Sequence, residues 1–234
     1  WETALEAAAS GLKKVVSEHG AGQLGVLVSP AATTEESYLA ARIARGLGSE
    51  NVDHRLRRQD FRDASGDPVA PTLGCGIAEL ERASAVLLVG CDVRKEVPII
   101  AHRIRQGAVR NGSNVASINT RAVNVMFPLV ANLASNGYGM AQHVAAVLAA
   151  ALRAAGQSAP ANVAGALEGV APTPEHERIA AMLTQGELRV ILLGALAERH
   201  AAFAELRTLA TALAGVTGAK LGYLPEGANA VGAS

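Results

Sequence analysis

Aromatic residues and cysteines are scarce in this 234-residue sequence: aromatics make up 3% of it, and there are two cysteines. Because the sequence is nevertheless 50% hydrophobic, its core must be built from Ala, Val, Leu and Ile. Cys75 and Cys91 lie far apart and form no CxxC pair, which excludes an iron–sulfur or zinc site built from cysteine alone. Their scarcity also favours a reducing compartment over a disulfide-stapled secreted domain.

Net charge is lacking too, since Lys plus Arg and Asp plus Glu both number 21. No basic stripe with interleaved aromatics occurs, so nucleic-acid binding is not expected. The longest uncharged stretch, 122–152, leaves only VAAVLAAAL as a pure apolar run, which is shorter than the roughly 20 residues of a bilayer span. We therefore expect a soluble chain without membrane insertion. Its ends, at Trp1 and just after GANAVGA, favour a piece excised from a longer protein.

The hydrophobic pattern predicts an α/β fold with mainly parallel sheets. Apolar runs bounded by turn signals indicate strands, and a 3.6-residue periodicity indicates helices. Strand–helix–strand units at this spacing imply right-handed parallel crossovers. The predicted strands cover 24–28, 51–56, 85–89, 115–118, 189–193 and 219–224, and the predicted helices cover 2–19, 33–47, 77–83, 98–110, 139–155, 173–185 and 200–214.

Local signals refine this pattern. Thr33 and Glu36 have capping-box spacing at the start of the second helix. In the first helix, Leu5, Leu12, Val15 and Val16 are expected on the buried side. Residues 156–172 are rich in Gly, Pro, Ala and Ser, and we interpret them as a linker between two lobes.

Two wholly apolar strands end in glycine just ahead of a helix, VLLVG at Gly90 and VILLG at Gly194. Ligands of open α/β sheets bind at the carboxyl ends of the strands, and glycine there lets the backbone turn sharply or approach a ligand. The candidate cofactor-binding residues at this edge are Gly90, Cys91, Asp92, Pro98 and Gly194. We favour Cys91 as a small residue in a tight turn over a nucleophile, because the sequence indicates no histidine partner.

The other motifs give little evidence of a catalytic or binding site. GAGQLG at 20–25 matches GxGxxG, but it follows a helix and precedes a strand, so we interpret it as a turn. The charged run 55–67 favours a solvated connection over an anion or interface contact through Arg57 or Arg58. There is no GxSxG, P-loop, HxxxH or HExxH pattern, so neither a catalytic residue nor a metal site is expected.

Several segments, in order, resemble the molybdopterin oxidoreductase family. WETALEAAA resembles its W-x-x-A-L helix, and LGVLVSPAATTEESYLAARIARGLGSENVDHR resembles the strand–helix–strand that follows. AVLLVGCDVRKEVPIIAHRIR is similar to its strand–G–x–N–P–helix element, and RVILLG and GANAVGA are similar to its closing segments. NVDHRLRRQDF resembles one branch, the large iron–sulfur G subunit of bacterial NADH:quinone oxidoreductase, respiratory complex I.

This resemblance implies two Rossmann-like three-layer lobes: an outer lobe of 1–57 and 170–234, and an inserted lobe of 58–169. It implies an intact subunit that passes electrons from NADH towards quinone, with 4Fe-4S and 2Fe-2S clusters in an N-terminal region outside this sequence. No cofactor is then expected in the chain itself. It would be a non-catalytic scaffold contacting other peripheral-arm subunits on the cytoplasmic side of the bacterial inner membrane.

The sequence departs from the catalytic members of the family at two points. Where those members place a Cys, selenocysteine or Ser metal ligand, 55–61 offers none. Asp92-Val93 stands where active members commonly have Asn-Pro. The resemblance therefore implies a vestigial cleft and argues against a bound molybdopterin guanine dinucleotide.

Two alternatives stay open. One is a fragment of a catalytic molybdopterin oxidoreductase, which needs a metal ligand and a retained pterin. The other is a generic nucleotide- or coenzyme-binding α/β domain, such as the central domain of thiamine-diphosphate enzymes, which also carries an ADLVLxxG-like strand. That alternative predicts one undivided lobe and predicts that 1–57 shares no sheet with 189–224.

Overall fold

The computed structural model describes residues 1–68 and 70–233, which fall into two compact units. Trp1–Arg57 and Pro225–Ser234 form the first unit, and Arg58–Leu224 forms the second. Each unit combines helices with parallel strands, so the predicted α/β fold class with parallel sheets is confirmed. Among the described residues, no helix is both long enough and apolar enough to span a bilayer.

The first unit is a small α/β assembly around a two-stranded parallel sheet. The Thr33 hydroxyl accepts from the Glu36 amide at 3.1 Å, and the Glu36 carboxylate accepts from the Thr33 amide at 2.8 Å, which confirms the capping box. The GAGQLG segment forms a short 3₁₀ turn between helix and strand. The elements are α1 (Glu2–His19), β1 (Val26–Leu27), α2 (Thr34–Gly46) and β2 (Val52–Asp53).

The apolar face of α1 is not buried, contrary to the expectation from its periodicity. Leu5 is 64% exposed, and no residue of this helix is buried. Leu39 and Ile43 on α2 are likewise more than half exposed. Periodicity identifies which face of a helix is apolar, but it says nothing of whether another element covers that face.

The second unit is built on a five-stranded, wholly parallel sheet. Strand β3 lies at its centre with all five residues buried, because helices cover both faces of the sheet. Its elements are β3 (Ala85–Val89), α3 (Val93–Glu96), α4 (Pro98–Arg110), β4 (Asn114–Asn119), β5 (Ala131–Ala134), α5 (Gly139–Ala155), α6 (Ala161–Leu167), α7 (Pro174–Met182), β6 (Arg189–Leu193), α8 (Ala195–Glu198), α9 (Phe203–Thr217) and β7 (Lys220–Tyr223), with 3₁₀ turns at Ala64–Gly66 and Ile77–Arg82.

The strand order, β5-β4-β3-β6-β7, fixes where a ligand edge should lie. From the central β3 the chain steps outward to β4 and β5, then returns to place β6 and β7 on the other side. The order reverses between β3 and β6, and in open parallel sheets such a switch point is where ligands bind. Gly90 and Gly194 immediately follow these two strands.

The predicted division into lobes is wrong at its second boundary. We assigned 170–234 to an outer lobe with 1–57, but β6 pairs with β3, for example Leu87 opposite Ile191, so 170–224 belongs to the same sheet as 58–169. Among the described residues, the strands of 1–57 share no sheet with β6 or β7. That is one of the two features expected of the generic coenzyme-binding alternative; the other, one undivided lobe, is not observed, since the chain forms two compact units.

The predicted linker 156–172 is also part of the second unit. It contains α6, whose Val163 is 2% exposed and lies in the apolar core with side chains from α5, α7 and α9. On the opposite face of the sheet, α4 and the Ile77–Arg82 turn cover a smaller apolar core. The unit is thus a three-layer sandwich, and the Gly/Pro-rich stretch connects two of its helices.

Candidate functional site

The structure brings Gly90 and Gly194 together at the switch point. The Gly194 amide donates to the Val89 carbonyl, and the Leu196 amide donates to the Gly90 carbonyl, both at 2.9 Å. Gly90 also donates its amide to the Ile118 carbonyl at 2.9 Å, which joins it to the end of β4. The strand ends that the sequence singled out are therefore neighbours, tied by backbone hydrogen bonds.

Both glycines are required by the packing of the chain against itself. Gly90 has φ +63°, and a Cβ there would lie 2.4 Å from the Ala197 nitrogen. A Cβ at Gly194 would lie 2.3 Å from the Cys91 Cβ. Both distances are far below van der Waals contact, so the close packing of α8 against the β3–α3 turn excludes a side chain at either position.

Cys91 lies fully buried in this turn. Burial, and then the nearby carboxylates of Glu96 and Asp92, raise the pKa of its thiol well above the ordinary value. The thiolate is the form that attacks electrophiles and ligates metals, and this environment disfavours it. The geometry supports the structural role proposed from the sequence.

We expect Cys91 to resist thiol reagents in the folded chain. With Ellman's reagent at pH 8, Cys75, which is half-buried, should react at least ~100-fold faster than Cys91, because Cys91 becomes accessible only when the edge opens. A Cys75→Ser chain isolates the Cys91 signal, and denaturant should release it in full. Rapid labelling of Cys91 in folded Cys75→Ser protein would contradict the closed edge.

Asp92 and Pro98 hold different positions at this edge. The Asp92 amide donates to the Glu96 carboxylate at 3.0 Å, and the Asp92 carboxylate lies 3.7 Å from the Arg121 guanidinium. Pro98 begins α4, as predicted, but α3 separates it from Gly90 and its side chain is exposed. Four of the five predicted residues thus meet around the switch point, and Pro98 starts the helix beside it.

Sequence reasoning missed Asn119, the last residue of β4. Its buried side-chain amide donates to the Cys91 carbonyl at 3.0 Å, and its oxygen accepts from the Thr120 amide at 2.8 Å. Asn119 therefore links the end of β4 to the turn that follows β3. A polar residue directly after the apolar run 115–118 was an available signal, of the same kind that drew attention to Gly90.

A pterin cofactor carrying a pyrophosphate does not fit this edge. Phosphate groups bind free backbone amides, but at α8 the Leu196 amide donates to Gly90, and those of Ala197 and Glu198 donate to Gly194. The acceptor-rich groups nearby, the Asp92 and Glu96 carboxylates, would repel an anion. One oxygen of Asp92 is buried without a hydrogen-bond partner, which adds to that repulsion.

The charged run 55–67 is only partly a solvated connection. Arg57 pairs with Glu226 within the first unit and is largely exposed. Arg58, by contrast, is 10% exposed, pairs with Asp67 and lies 3.6 Å from Asp63. The charge of Arg58 is thus neutralised by Asp67 and Asp63 inside the second unit. Arg58 is therefore not positioned to bind an external anion.

Arg207 of α9 completes this ion cluster. Its guanidinium donates to Asp63 at 2.7 Å and also bonds Asp67, so two cations meet two carboxylates. The guanidinium carbons of Arg58 and Arg207 lie 5.1 and 5.5 Å from the centre of the Phe203 ring. Burial would raise the pKa of Asp67, but hydrogen bonds from Arg58 and Arg207 outweigh it and lower that pKa.

Asp60 fixes the start of α9. Its carboxylate accepts from the Ala204 amide at 2.9 Å and forms a two-point contact with Arg62 at 2.9 and 2.8 Å. The hydrogen bond from Arg62 is the main cause of a pKa far below the ordinary value. Within 1–68 and 70–233, no group of three or more His, Cys, Asp or Glu side chains is arranged to hold a metal ion.

Comparison with known proteins places these observations in a family. A family model described as molybdopterin oxidoreductase matches residues 1–233. The alpha subunit of an NADPH-Fe(3+) oxidoreductase from Geobacter sulfurreducens is 31% identical over 132 residues, covering 53% of this chain and 15% of that protein. A Staphylococcus haemolyticus protein described as a formate dehydrogenase is 32% identical over 112 residues, covering 45% and 11%.

The G subunit of the NADH-quinone oxidoreductase of Mycobacterium bovis is 34% identical over 122 residues, covering 50% of this chain and 14% of that protein. The chain thus spans about 15% or less of these relatives. Among solved structures, a chain of the formyltransferase/hydrolase complex from Methylorubrum extorquens, crystallised with methylofuran, matches with a TM-score of 0.56 at 16% identity. That match covers 92% of this chain and 57% of the other, and it shows a shared fold alone.

The family model covers nearly the whole sequence, including both units and the switch-point edge. This match outweighs the separate sheet of the first unit, which by itself favoured a generic coenzyme-binding domain. The chain belongs to the molybdopterin oxidoreductase family.

Proposed function

We propose that this chain is a non-catalytic structural part of the iron–sulfur subunit of an NADH:quinone oxidoreductase. The observation that carries this proposal is the closed switch-point edge, where Gly90 and Gly194 pack against α8 and Cys91. Because this edge is packed against the chain's own backbone and the amides of Leu196, Ala197 and Glu198 are already bonded, we assign the chain a supporting role. The similarity to a G subunit from Mycobacterium bovis points to the same class of complex.

In this proposal the intact subunit carries iron–sulfur clusters in other parts of its polypeptide and passes electrons from NADH towards quinone. The residues described here would keep the α/β region rigid and present its outer helices to other peripheral-arm subunits. The protein would then act at the cytoplasmic side of the bacterial inner membrane, as a peripheral component. Gly90, Cys91, Asp92, Pro98 and Gly194 would be the remains of a cofactor cleft.

A second function, catalysis by a bound molybdenum or tungsten pterin, is favoured by the matches to an NADPH-Fe(3+) oxidoreductase and to a formate dehydrogenase. Such a reaction would need a metal ligand and a pocket for the pterin. The charged segment 55–61 offers no thiol or hydroxyl ligand. At the edge between β3 and β6, the amides of Leu196, Ala197 and Glu198 already donate to backbone carbonyls and are not open to the pyrophosphate.

Metal and pterin analysis of the intact native protein distinguishes the two functions. We expect elemental analysis to find iron with acid-labile sulfide, and molybdenum and tungsten well below one atom per polypeptide. We also expect no fluorescent pterin after acid oxidation. A molybdenum-containing formate dehydrogenase taken through the same purification shows that the cofactor survives it. Stoichiometric molybdenum or tungsten together with pterin would overturn the scaffold proposal and establish the catalytic alternative.

A further inference from the structure

Two histidines on neighbouring helices of the second unit form a hydrogen-bonded pair away from the sheet edge. Nδ1 of His143 on α5 lies 2.9 Å from Nε2 of His176 on α7. The ring centres are 5.2 Å apart, and His176 is 6% exposed. Thr173, the residue before α7, donates its amide to Nδ1 of His176 at 2.9 Å, so the imidazole completes the capping box of that helix.

The hydrogen bonds determine where the protons lie. A backbone amide can only donate, so Nδ1 of His176 must be unprotonated and Nε2 must carry the proton. That proton is donated to Nδ1 of His143, which leaves the His143 proton on Nε2. A backbone group of Ala134, at the end of β5, interacts with His143 and acts to raise its pKa. Donation runs one way, from the Thr173 amide to His176 and from His176 to His143.

This chain of hydrogen bonds accepts no further proton without breaking. A proton on Nδ1 of His143 would face the N–H of His176. A proton on Nδ1 of His176 would face the Thr173 amide, even though the Thr173 hydroxyl, 2.9 Å from the same nitrogen, can accept. In either case two donors would point at each other, and a buried charge would be added. Protonation thus separates the two rings or removes the cap of α7.

Among the charged groups around the pair, Glu175 favours such a proton, but its carboxylate already accepts from the Thr173 hydroxyl and pairs with Arg178. Of the elements packed on α5, α6, β4 and β5 carry no titratable side chain. On α9, Arg207 and Glu205 are the charged residues, and the former is held by Asp63 and Asp67. The remaining charges on α5 and α7 are Arg153, Glu175, Glu177 and Arg178, which form two ion pairs among themselves.

Burial lowers the pKa of both imidazoles, and the neighbouring His143 lowers that of His176 further, although Glu175 acts in the opposite direction. The folded state therefore binds fewer protons than the unfolded state below pH ~6.5, the ordinary histidine value. Stability from the pair is complete above that pH and is lost as the pH falls below it.

We infer that His143 and His176 form an acid-sensitive latch that holds the start of α7 against α5 and the end of β5. At neutral pH the neutral pair closes the latch. At mildly acidic pH the latch opens, and α7 loses its cap and its polar tie to α5. The inference does not depend on the proposed function, since it concerns the packing of the second unit in any member of an assembly.

Nitrogen NMR on the 234-residue chain tests the proton positions directly. We expect both imidazoles to be Nε2–H tautomers at pH 7.5, and both to titrate below pH 6.5. Finding either ring with its proton on Nδ1, or either titrating at or above pH 6.5, would overturn the latch. This measurement needs no variant.

Hydrogen exchange between pH 7.5 and 5.0, corrected for intrinsic rates, tests the opening. Amides of 174–182 should lose protection by up to about tenfold per pH unit for each histidine, while those of β3 change less. His143→Asn places a non-titrating acceptor near the position of Nδ1, and it should remove the His143 share of this pH dependence, leaving at most about tenfold per pH unit from His176. His102→Asn, at an exposed histidine of α4, is the matched control and should keep it. Unchanged protection in the native chain, or unchanged pH dependence in His143→Asn, would refute the latch.

Discussion

Replacing Gly90 by alanine is expected to destabilise the second unit by ~2–5 kcal/mol, from a left-handed backbone and from overpacking. The added Cβ would lie 2.4 Å from the Ala197 nitrogen and 2.9 Å from the Ala197 Cβ. The first contact involves the backbone of α8, whose Leu196 amide donates to the Gly90 carbonyl, so α8 cannot move away from Gly90 without losing that bond. Urea unfolding followed by circular dichroism measures the loss.

Gly112→Ala separates the two causes of this destabilisation. Gly112 has φ +70°, close to that of Gly90, but a Cβ there meets nothing within 4 Å. We expect this control to cost ~1 kcal/mol, the backbone cost alone. The excess for Gly90→Ala is then the cost of close packing at the switch point.

The thiol of Cys91 reports on the same edge independently of global unfolding. In a Cys75→Ser background, Gly90→Ala should speed Cys91 labelling strongly, because the turn that covers it is displaced, while Gly112→Ala should leave the rate close to that of the parent. If Gly90→Ala cost no more than Gly112→Ala and left the labelling rate unchanged, the edge would have room for a side chain. A cofactor pocket there would then be credible again.

The sequence and the structure agree on these glycines but differ on their purpose. A glycine after a buried strand indicates only that the backbone must turn or that another group comes close. At Gly90 and Gly194 that group is the chain's own α8 and β3–α3 turn. No local pattern distinguishes this case from a ligand, because the group lies over a hundred residues away in sequence.

Strands with strong local signals were predicted well. The runs 85–89 and 189–193 are observed with the same bounds, because each has at least four consecutive apolar residues and is followed directly by glycine. Strand β5 was missed, since Ala131–Ala134 includes Asn132 and two alanines and shows no strand pattern. The helix predicted at 200–214 is observed at Phe203–Thr217, a shift at its ends of the kind that local signals leave open.

The order of strands in the sheet lies beyond local patterns. The echo between VLLVG and VILLG suggested two similar lobes, yet the two strands are neighbours in one sheet. A strand buried on both faces has the same apolar run whichever strand it pairs with. The Gly/Pro-rich stretch 156–172 strengthened the error, because its composition resembles a linker although Val163 is buried in the core.

The charged run 55–67 shows that local patterns also do not predict polar contacts between residues far apart in sequence. Its composition favoured a solvated connection, since mixed charges near one another are normally exposed. Arg58 is largely shielded from solvent because its partners Asp63 and Asp67 are shared with Arg207, on a helix about 140 residues further along the chain. Only the folded chain brings the second guanidinium to these carboxylates.

Arg207→Met is therefore expected to be the second strongly destabilising substitution, costing ~3 kcal/mol at pH 7, the lower end for a broken buried ion pair. The lower end applies because the side chains of Asp63 and Asp67 are about a quarter exposed. Removing Arg207 leaves these carboxylates with Arg58 alone and takes one of two guanidinium groups from the Phe203 ring. The measurement is again urea unfolding of the 234-residue chain.

Arg153→Met is the matched control. Arg153 lies 3.6 Å from Glu177, but both side chains are more than half exposed. Breaking such a pair typically costs ~0–1 kcal/mol, because solvent screens both charges. A cost for Arg207→Met no greater than that of Arg153→Met would show that the cluster is a solvated surface feature, as its sequence first indicated.

The pH dependence of Arg207→Met identifies the charge interaction itself. The pKa of Asp67 is lowered in the folded state, so its contribution is present above pH ~4, the ordinary aspartate value, and is lost as the pH falls towards the folded value. Without Arg207, the pKa of Asp67 should move back towards that ordinary value. The variant should therefore lose less of its free energy of unfolding than the parent does as the pH falls. The difference between parent and variant should thus shrink between pH 7 and pH 3.5, while that for Arg153→Met stays small throughout. A difference that stays constant with pH would assign the cost to lost packing on Phe203 rather than to the ion cluster.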